Sequence, residues 1–243
     1  MAALGLGAAG CGSVSPPETW QGPATSGAPA GSQPAQSAAP SSPASGKEAG
    51  GRAPAQSGED NLAVPEDYSE KVSDYRRKKD DLYRSGKDSP VPADARGTFK
   101  SLDYYAVDPS WRLVLPLIRE GRPATRTFIS NTGEKRSMRR EGYVEFTRDG
   151  IPVKLALYHI LDDPVPDGSL WLGFADAGSG KETYPGGRYI DTELRPDGTV
   201  VLDFNFAYNP LCAYGWAYSC PLAPSENRLK IPVRAGENGF HHQ

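Results

Sequence analysis

The chain has 243 residues, a formal net charge of −3 at pH 7 and a pI near 5.7. This charge excludes nucleic acid as an expected partner, because phosphate binding needs a concentrated basic surface. No apolar run reaches the roughly 18 residues that a membrane-spanning helix needs. Three histidines leave little material for a His-rich zinc site or a Ser-His-Asp triad.

Residues 1–11 resemble the end of a bacterial lipoprotein signal peptide. The stretch is apolar, and small residues lead into Cys11 as they do in a lipobox. Because the stretch lacks the basic start and the length of a complete signal, this interpretation places the true start codon upstream. It predicts export, lipidation of Cys11 and a lipid anchor that binds the protein to a membrane of the bacterial cell envelope. The alternative is an Ala/Gly-rich terminus without a signal.

Residues 12–60 consist mainly of Ala, Ser, Pro and Gly, with few charges and a single aromatic residue, Trp20. Such a composition cannot bury a core, and it predicts a disordered tether. As a flexible coil the tether would span roughly 40 Å, which would hold a domain clear of a membrane surface. The remaining residues, 61–243, are numerous and apolar enough for one folded domain.

Residues 65–84 predict the one amphipathic helix of this domain. Its apolar positions repeat at helical spacing and form a single stripe: Tyr68, Val72, Tyr75 and Leu82. Gly86 follows and is expected to end the helix. A stripe of this kind indicates a face that packs on the domain.

The pattern beyond the helix is typical of short β-strands bounded by Gly, Pro, Asp or Asn. Eight strands are predicted, at residues 111–118, 125–129, 142–148, 151–160, 170–174, 188–194, 199–206 and 228–233. Since no second helical pattern occurs, we expect a mainly β domain: an antiparallel barrel or sandwich with one N-terminal helix.

Residues 188–206 predict a hairpin closed by the three-residue loop 196–198. This register places Asp191 opposite Asp203. Like charges directly opposite each other on a ladder are destabilising, so we expect something to offset them. The options are a bound divalent cation, an arginine such as Arg188, or a raised carboxylate pKa.

The cysteine count offers a further prediction. If lipid occupies Cys11, the other two cysteines, Cys212 and Cys220, form an even pair in an oxidising compartment. A disulfide closing so short a loop would contribute about 2.5 kcal/mol. The alternative is two buried reduced thiols.

Two segments, FADAGSGKETYPGGRYIDTEL and DFNFAYNPLCAYGWAYSCPLAPSENRLKIPVRAGE, resemble the signature of DUF1684, a bacterial family of domains of unknown function. The resemblance extends weakly upstream, covers residues 65–237, and is closest to the family's shorter form. It implies these signature positions: Asp176, Gly180, Glu182, Thr183, Tyr184, Gly187, Arg188, Tyr189, Asp191, Asp203, Asn205, Asn209, Pro210, Cys212, Cys220, Pro221, Glu226, Asn227 and Glu237. No established activity comes with them.

Two functions remain open from the sequence. The first is a surface-tethered binding or structural module for a small polar ligand or an envelope polymer. Its candidate ligand-binding residues are Asp176, Tyr184, Arg188, Asp191, Asp203, Asn205, Asn209, Glu226, Asn227 and Glu237. The alternative is a metal-assisted hydrolase that holds a divalent cation on Asp191, Asp203 and Glu226.

Overall fold

The computed structural model describes residues 64–162, 168–215 and 218–239. The predicted signal, Cys11 and the predicted tether lie outside these ranges. Within them, no helix combines the length and the apolar character that crossing a bilayer requires.

The described chain forms a sandwich-like, mainly β domain with one α-helix, α1 (Tyr68–Ser85). Its strands are β1 (Arg112–Pro116), β2 (Ala124–Ile129), β3 (Lys135–Arg148), β4 (Ile151–Ile160), β5 (Ser169–Phe174), β6 (Arg188–Glu193) and β7 (Thr199–Asp203). A five-stranded antiparallel sheet has the order β2-β3-β4-β5-β6, and β1 pairs with β7 in a second sheet. The predicted class is confirmed, with the sandwich rather than the closed barrel as its form.

The main core lies between the two sheets. Leu155 and Leu172 fill it from the five-stranded sheet, and Val200 and Leu202 fill it from β7. Phe204 closes the end of this core and packs edge-to-face on Trp111, with ring centroids 5.3 Å apart. The two inner faces interdigitate as in other β-sandwiches.

The opposite face of the five-stranded sheet carries a second, aromatic cluster. Its ring pairs are edge-to-face: Phe128 with Tyr158 at 4.8 Å, and Trp171 with Tyr189 at 4.9 Å. Because β4 and β5 are buried on both faces, their sequences are nearly continuous apolar runs. The irregular segment before residue 226 covers part of this cluster, and the Tyr189 hydroxyl donates to the Pro221 carbonyl.

Two of the predicted strands, 199–206 and 228–233, differ from the structure. The strand predicted over 199–206 ends at Asp203, because the Asp203 carboxylate accepts from the Asn205 N–H and starts a 3-10 turn. Residues 228–233 form no strand, and only an isolated parallel bridge joins Arg228 to Ala175.

The strand predicted over 142–148 begins earlier, at Lys135, and becomes the long strand β3. Its first half is charged and partly exposed, so it lacks an apolar pattern. A bulge interrupts its pairing with β4 between Arg140 and Gly142.

The predicted strand register of the hairpin is confirmed next to the loop but not farther along the strands. Gly198 has φ of 80°, and Leu194 bridges Val200 as predicted. The next bridge joins Tyr189 to Tyr208, so four residues (190–193) lie between the bridges on one side and seven (201–207) on the other. The extra residues turn away and place Asp203 opposite Arg112 of β1. The predicted pairing of Asp203 with Asp191 is therefore wrong.

Candidate functional site

Four of the ten predicted site residues form part of a buried polar network rather than an open site. We use the term buried network for Lys79, Asp176, Arg188, Asn209, Tyr214 and Glu237, which the hydrogen bonds below connect. All six side chains are buried. Their positions follow from the four segments that they join: helix α1, the β5–β6 connection with the start of β6, the segment after β7, and the C-terminal segment 233–237.

Arg188 is the cationic centre of one half of the network. Its side chain is 1% exposed and forms an ion pair with Asp176 at 2.7 Å. Its other guanidinium hydrogen bonds go to three backbone carbonyls, those of Val233, Ala235 and Glu237, at 2.7, 2.6 and 2.9 Å. Burial lowers the pKa of Arg188, and Asp176 opposes that effect. The guanidinium therefore holds the C-terminal segment against the sheet.

Glu237 is the anionic centre of the other half. Its carboxylate accepts from Lys79 Nζ at 2.5 Å, from the Asn209 N–H at 2.7 Å and from the Tyr214 hydroxyl at 2.7 Å. Burial acts to lower the pKa of Lys79, but Glu237 outweighs it and the pKa is raised above its ordinary value. The pair stays ionised and fixes α1 to the domain.

Sequence reasoning missed Lys79, although a signal was present. Lys79 fills the gap in the apolar stripe of the helix between Tyr75 and Leu82, so it must point toward the domain. A lysine on a buried helix face needs a carboxylate partner. In the structure this partner is Glu237, one of the six signature carboxylates.

Asp203 and Asn205 also hold α1. The Tyr68 hydroxyl donates to both oxygens of the Asp203 carboxylate, at 2.8 and 2.9 Å. Arg76 donates to the backbone carbonyl of Asn205 at 3.3 Å. Burial raises the pKa of Asp203, while the hydrogen bonds from Tyr68 and Asn205 work in the opposite direction. Helix α1 is thus attached largely through polar contacts to signature residues.

Asn227 joins two strands that share little ladder pairing. Between β4 and β5 the ladder holds the single pair Tyr158 and Trp171. The buried Asn227 amide donates to the Ala156 and Gly173 carbonyls, both at 2.9 Å, and accepts from the Ala156 N–H at 2.8 Å. Its side chain therefore replaces backbone hydrogen bonds between the two strands.

The carboxylates proposed for a divalent cation do not come together. Each one accepts a hydrogen bond from a separate tyrosine: Asp191 from Tyr208, Asp203 from Tyr68 and Glu226 from Tyr158. Across the described ranges, no three His, Cys, Asp or Glu side chains lie close enough to hold a metal ion. The geometry gives no support to a cation site on Asp191 and Asp203.

The predicted disulfide is absent, and Cys212 and Cys220 are both reduced thiols. The two residues are nevertheless in contact, because the Cys220 sulfur accepts from the Cys212 N–H at 3.3 Å. On its other side Cys212 Sγ lies 3.6 Å from the Tyr184 hydroxyl. The hydrogen bond with Cys220 lowers the pKa of the Cys212 thiol. The short spacing of the two cysteines in the sequence predicted that they lie close together, but it did not predict how their sulfur atoms are oriented.

Among the predicted site residues in the described part of the chain, Glu226 lines an open cavity. Two pockets, of about 280 and 290 Å³, adjoin on the outer face of the five-stranded sheet and share Arg126 and Glu226. We call them together the Glu226 cleft. The first is walled by β2 and residues 222–226, and the second by side chains of β2, β3 and β4.

The floor of the cleft is polar and positively charged. The Tyr158 hydroxyl donates to Glu226, and burial, followed by this hydrogen bond, raises the pKa of Tyr158. Arg140 and Arg126 act against that rise. Arg140 lies opposite Tyr158 in the sheet, and Arg126 lines the same pocket as Tyr158. Neither arginine forms an ion pair with any residue in the described ranges.

Lys154 and Tyr143 form the far wall of the second pocket. The Lys154 ammonium lies 3.4 Å from the centroid of the Tyr143 ring. Glu120 and Glu145 flank the same ammonium at 3.4 and 3.7 Å. Unlike the two arginines, Lys154 is therefore already neutralised within the protein.

The bulge in β3 explains why sequence reasoning missed Arg140 and Tyr143. Arg140 lies opposite Tyr158, and Tyr143 lies opposite Ala156, so both side chains share one face of the sheet. Strict alternation would put residues three apart on opposite faces. The extra residue, Glu141, shifts this alternation by one position, so Arg140 and Tyr143 lie on the same face. Gly142 marks the site, because a Cβ there would lie 2.6 Å from the Ile118 carbonyl oxygen.

Comparison with known proteins identifies the family. Residues 97–238 match the family described as "Protein of unknown function (DUF1684)", and the chain belongs to it. The match begins at residue 97, so it includes the later part of the weaker upstream resemblance but not α1, where that resemblance was expected to start.

A solved relative has the same fold. It is an uncharacterized protein of Haloarcula marismortui, determined by solution NMR, with 30% sequence identity and a TM-score of 0.54. The alignment covers 71% of this chain and 95% of the relative. No curated protein matches the chain.

Proposed function

We propose that this chain is an exported, lipid-anchored binding module of the bacterial cell envelope, and that the Glu226 cleft holds its ligand. The ligand is a small polar molecule or a polymer of the envelope. Cys11 and the small residues before it support the anchor. The composition of residues 12–60 supports a flexible link between the anchor and the domain.

One observation carries the choice of the cleft. The charges of the buried network are satisfied inside the protein, as the Arg188 and Glu237 contacts show. Arg126, Arg140 and Glu226 instead line an open cavity, and the two arginines lack an ion-pair partner among the described residues. Concave sites with a few convergent polar groups are where proteins most often bind small ligands.

The anchor is tested by fractionation of cells that express the chain with a complete upstream signal peptide. We expect the protein to partition into detergent, and Cys11→Ser to move it to the soluble fraction. Cys212→Ser serves as the matched control and should stay with the membrane. Equal partitioning of the wild type and Cys11→Ser would refute the anchor.

The cleft is tested by blocking it. Ser225 is exposed and lines the first pocket, so Ser225→Trp should fill it without disturbing the core. Ser101, also exposed, lies elsewhere and allows Ser101→Trp as a control of equal size. We expect the wild type and the control to bind isolated envelope polymer, with a loss of about tenfold for Ser225→Trp, comparable to losing one strong polar contact. Equal binding by all three proteins, or no binding by any of them, would contradict the proposal.

A further inference from the structure

The Glu226 cleft contains two arginines, Arg126 and Arg140, that form no ion pair among the described residues. Other arginines of the β2–β3 hairpin have carboxylate partners: Arg136 lies 3.6 Å from Glu134, and Arg139 pairs with Glu141. Arg126 has no such partner in the described structure, and neither does Arg140.

The sheet register holds the two arginines side by side. Arg126 lies opposite Met138, which is two residues from Arg140 on the same strand and face. Such diagonal positions are roughly 7–8 Å apart, within reach of long side chains. Two guanidinium groups at this spacing repel each other, and an anion bound between or across them removes that repulsion.

Glu226 adds a requirement of a different kind. One of its carboxylate oxygens accepts from the Tyr158 hydroxyl, and the described residues supply no donor to the other. An ionised carboxylate is an acceptor only, so this oxygen can serve a ligand hydroxyl. A ligand that suits the whole cleft therefore has both anionic groups and hydroxyl groups.

The shape of the cleft favours an extended ligand. Its two pockets adjoin, and the first continues past the arginines to an apolar rim. Ile129 and Leu222 form this rim and are 47% and 45% exposed. Exposed apolar side chains next to polar groups suit the carbon face of a sugar or polyol unit.

We infer that the ligand of the Glu226 cleft is an anionic, hydroxyl-bearing polymer whose phosphate or carboxylate groups are held by Arg126 and Arg140. This inference rests on the proposed binding function and specifies its ligand class. The guanidinium forks bind the anionic groups, and Glu226 accepts from a hydroxyl of an adjacent unit.

The experiment uses the full chain carrying Cys11→Ser and three soluble polymers. Polygalacturonate supplies carboxylates with hydroxyls, poly(glycerol phosphate) supplies phosphodiesters with hydroxyls, and dextran is the neutral control. We expect binding of at least one anionic polymer and none of dextran. The stronger of the two anionic polymers identifies the group that the arginines recognise.

Matched arginine variants separate a built site from general charge attraction. Arg126→Gln and Arg140→Gln should each weaken binding of the anionic polymer about tenfold. Arg139→Gln changes the net charge equally on the same hairpin but lies outside the cleft, and it should stay within about twofold at physiological salt. Equal losses in all three variants would overturn the inference, because they would show nonspecific attraction.

Glu226→Gln tests the hydroxyl contact. It should weaken the hydroxyl-bearing polymer and strengthen inorganic polyphosphate, which has no hydroxyl for Glu226 to accept from. Stronger binding of both would overturn the hydroxyl-bearing part of the inference.

The outcomes distinguish failure of the anionic-ligand inference from failure of the proposed binding function on which it rests. Dextran binding that Ser225→Trp abolishes would overturn the anionic ligand and keep the binding function. If neither these polymers nor isolated envelope material binds, both fail.

Discussion

The buried network and the Glu226 cleft both contain several charged side chains. They differ in whether the arginines have ion-pair partners among the described residues. In the buried network, Arg188 and Glu237 are each 1% exposed and have several protein partners. In the cleft, Arg126 is exposed and Arg140 half-buried, and both lack a carboxylate partner in the described structure. Charged side chains that are paired inside the protein stabilise the fold, whereas unpaired charged side chains at a cavity are available to bind a ligand.

This comparison changes the interpretation of the family signature. A set of charged and amide residues such as Asp176, Asn227 and Glu237 suggests an active site when it is met as sequence. In the folded protein these residues replace backbone hydrogen bonds and attach segments to the sheet. Buried polar networks of this kind must be fully satisfied, because a half-satisfied one is costly.

The largest expected effect comes from breaking the Lys79 and Glu237 pair. Lys79→Met leaves the Glu237 carboxylate buried without its cation, and the free energy of unfolding should fall by about 3–5 kcal/mol. Urea denaturation measures this loss. Adding Glu237→Gln removes the remaining charge and should recover part of the stability. A double variant whose loss equals the sum of the single losses would show that the pair is not coupled.

A smaller loss is expected at Asn227. Asn227→Leu keeps the volume but leaves the Ala156 N–H and two carbonyls unpaired between β4 and β5. The free energy of unfolding should fall by about 2–3 kcal/mol. Hydrogen exchange at the Ala156 amide should accelerate in the folded protein. Unchanged protection of that amide would contradict the bridging role.

Asp203 gives a pH-dependent effect. Because burial raises its pKa above 3.8, the folded state binds this proton more tightly than the unfolded state. The resulting stability is complete below the unfolded pKa and is lost as the pH rises through the folded pKa. Relative to Asp203→Asn, the wild type should therefore gain stability as the pH falls from 7 toward 4. A wild type that loses stability relative to the variant over this range would reverse the assigned sign.

The cleft arginines should show almost no effect on stability. Arg126→Gln and Arg140→Gln remove no internal ion pair, so the free energy of unfolding should change by no more than about 0.5 kcal/mol. Thermal and urea unfolding can both check this. A loss of several kcal/mol would assign the arginines to the fold and contradict the comparison.

The smallest expected effect concerns the exposed pair of Glu182 and Arg234. Arg234 donates to both Glu182 oxygens at 2.9 Å, and this contact together with a hydrogen bond from Tyr105 lowers the pKa of Glu182 to about 2. The associated stability is present above the ordinary pKa of 4.5 and is lost as the pH falls toward 2. NMR titration should find the low pKa, and added salt should raise it. A salt-independent value would contradict an exposed pair.

Much of the fold could be predicted from local pattern. The helix, the loop at Gly198 and the existence of β4 and β5 follow from periodicity and turn chemistry. The register beyond the loop did not follow, because Asp203 starts a 3-10 turn in place of a continuing strand. The Asp203 side chain caps this turn, so the chain after Asp203 no longer continues along β6 as predicted.

The candidate site was less predictable than the fold. Glu226 was selected from the signature, but Arg126 and Arg140 come from a hairpin whose charges resemble an ordinary solvated face. The β2–β3 register brings these two arginines together, and the bulge at Glu141 adds Tyr143 to the same face by shifting the parity of β3. A bulge of one residue has no reliable sequence signal except the crowded Gly142.

The most direct test of the account measures stability and polymer affinity on two variants of the same full chain, Glu237→Gln and Arg126→Gln. We predict that Glu237→Gln lowers the urea midpoint while its folded fraction binds the anionic polymer with wild-type affinity. We predict the reverse for Arg126→Gln, with an unchanged midpoint and about tenfold weaker binding. A folded Glu237→Gln protein that loses affinity would contradict the account, since it would return the binding site to the signature carboxylates.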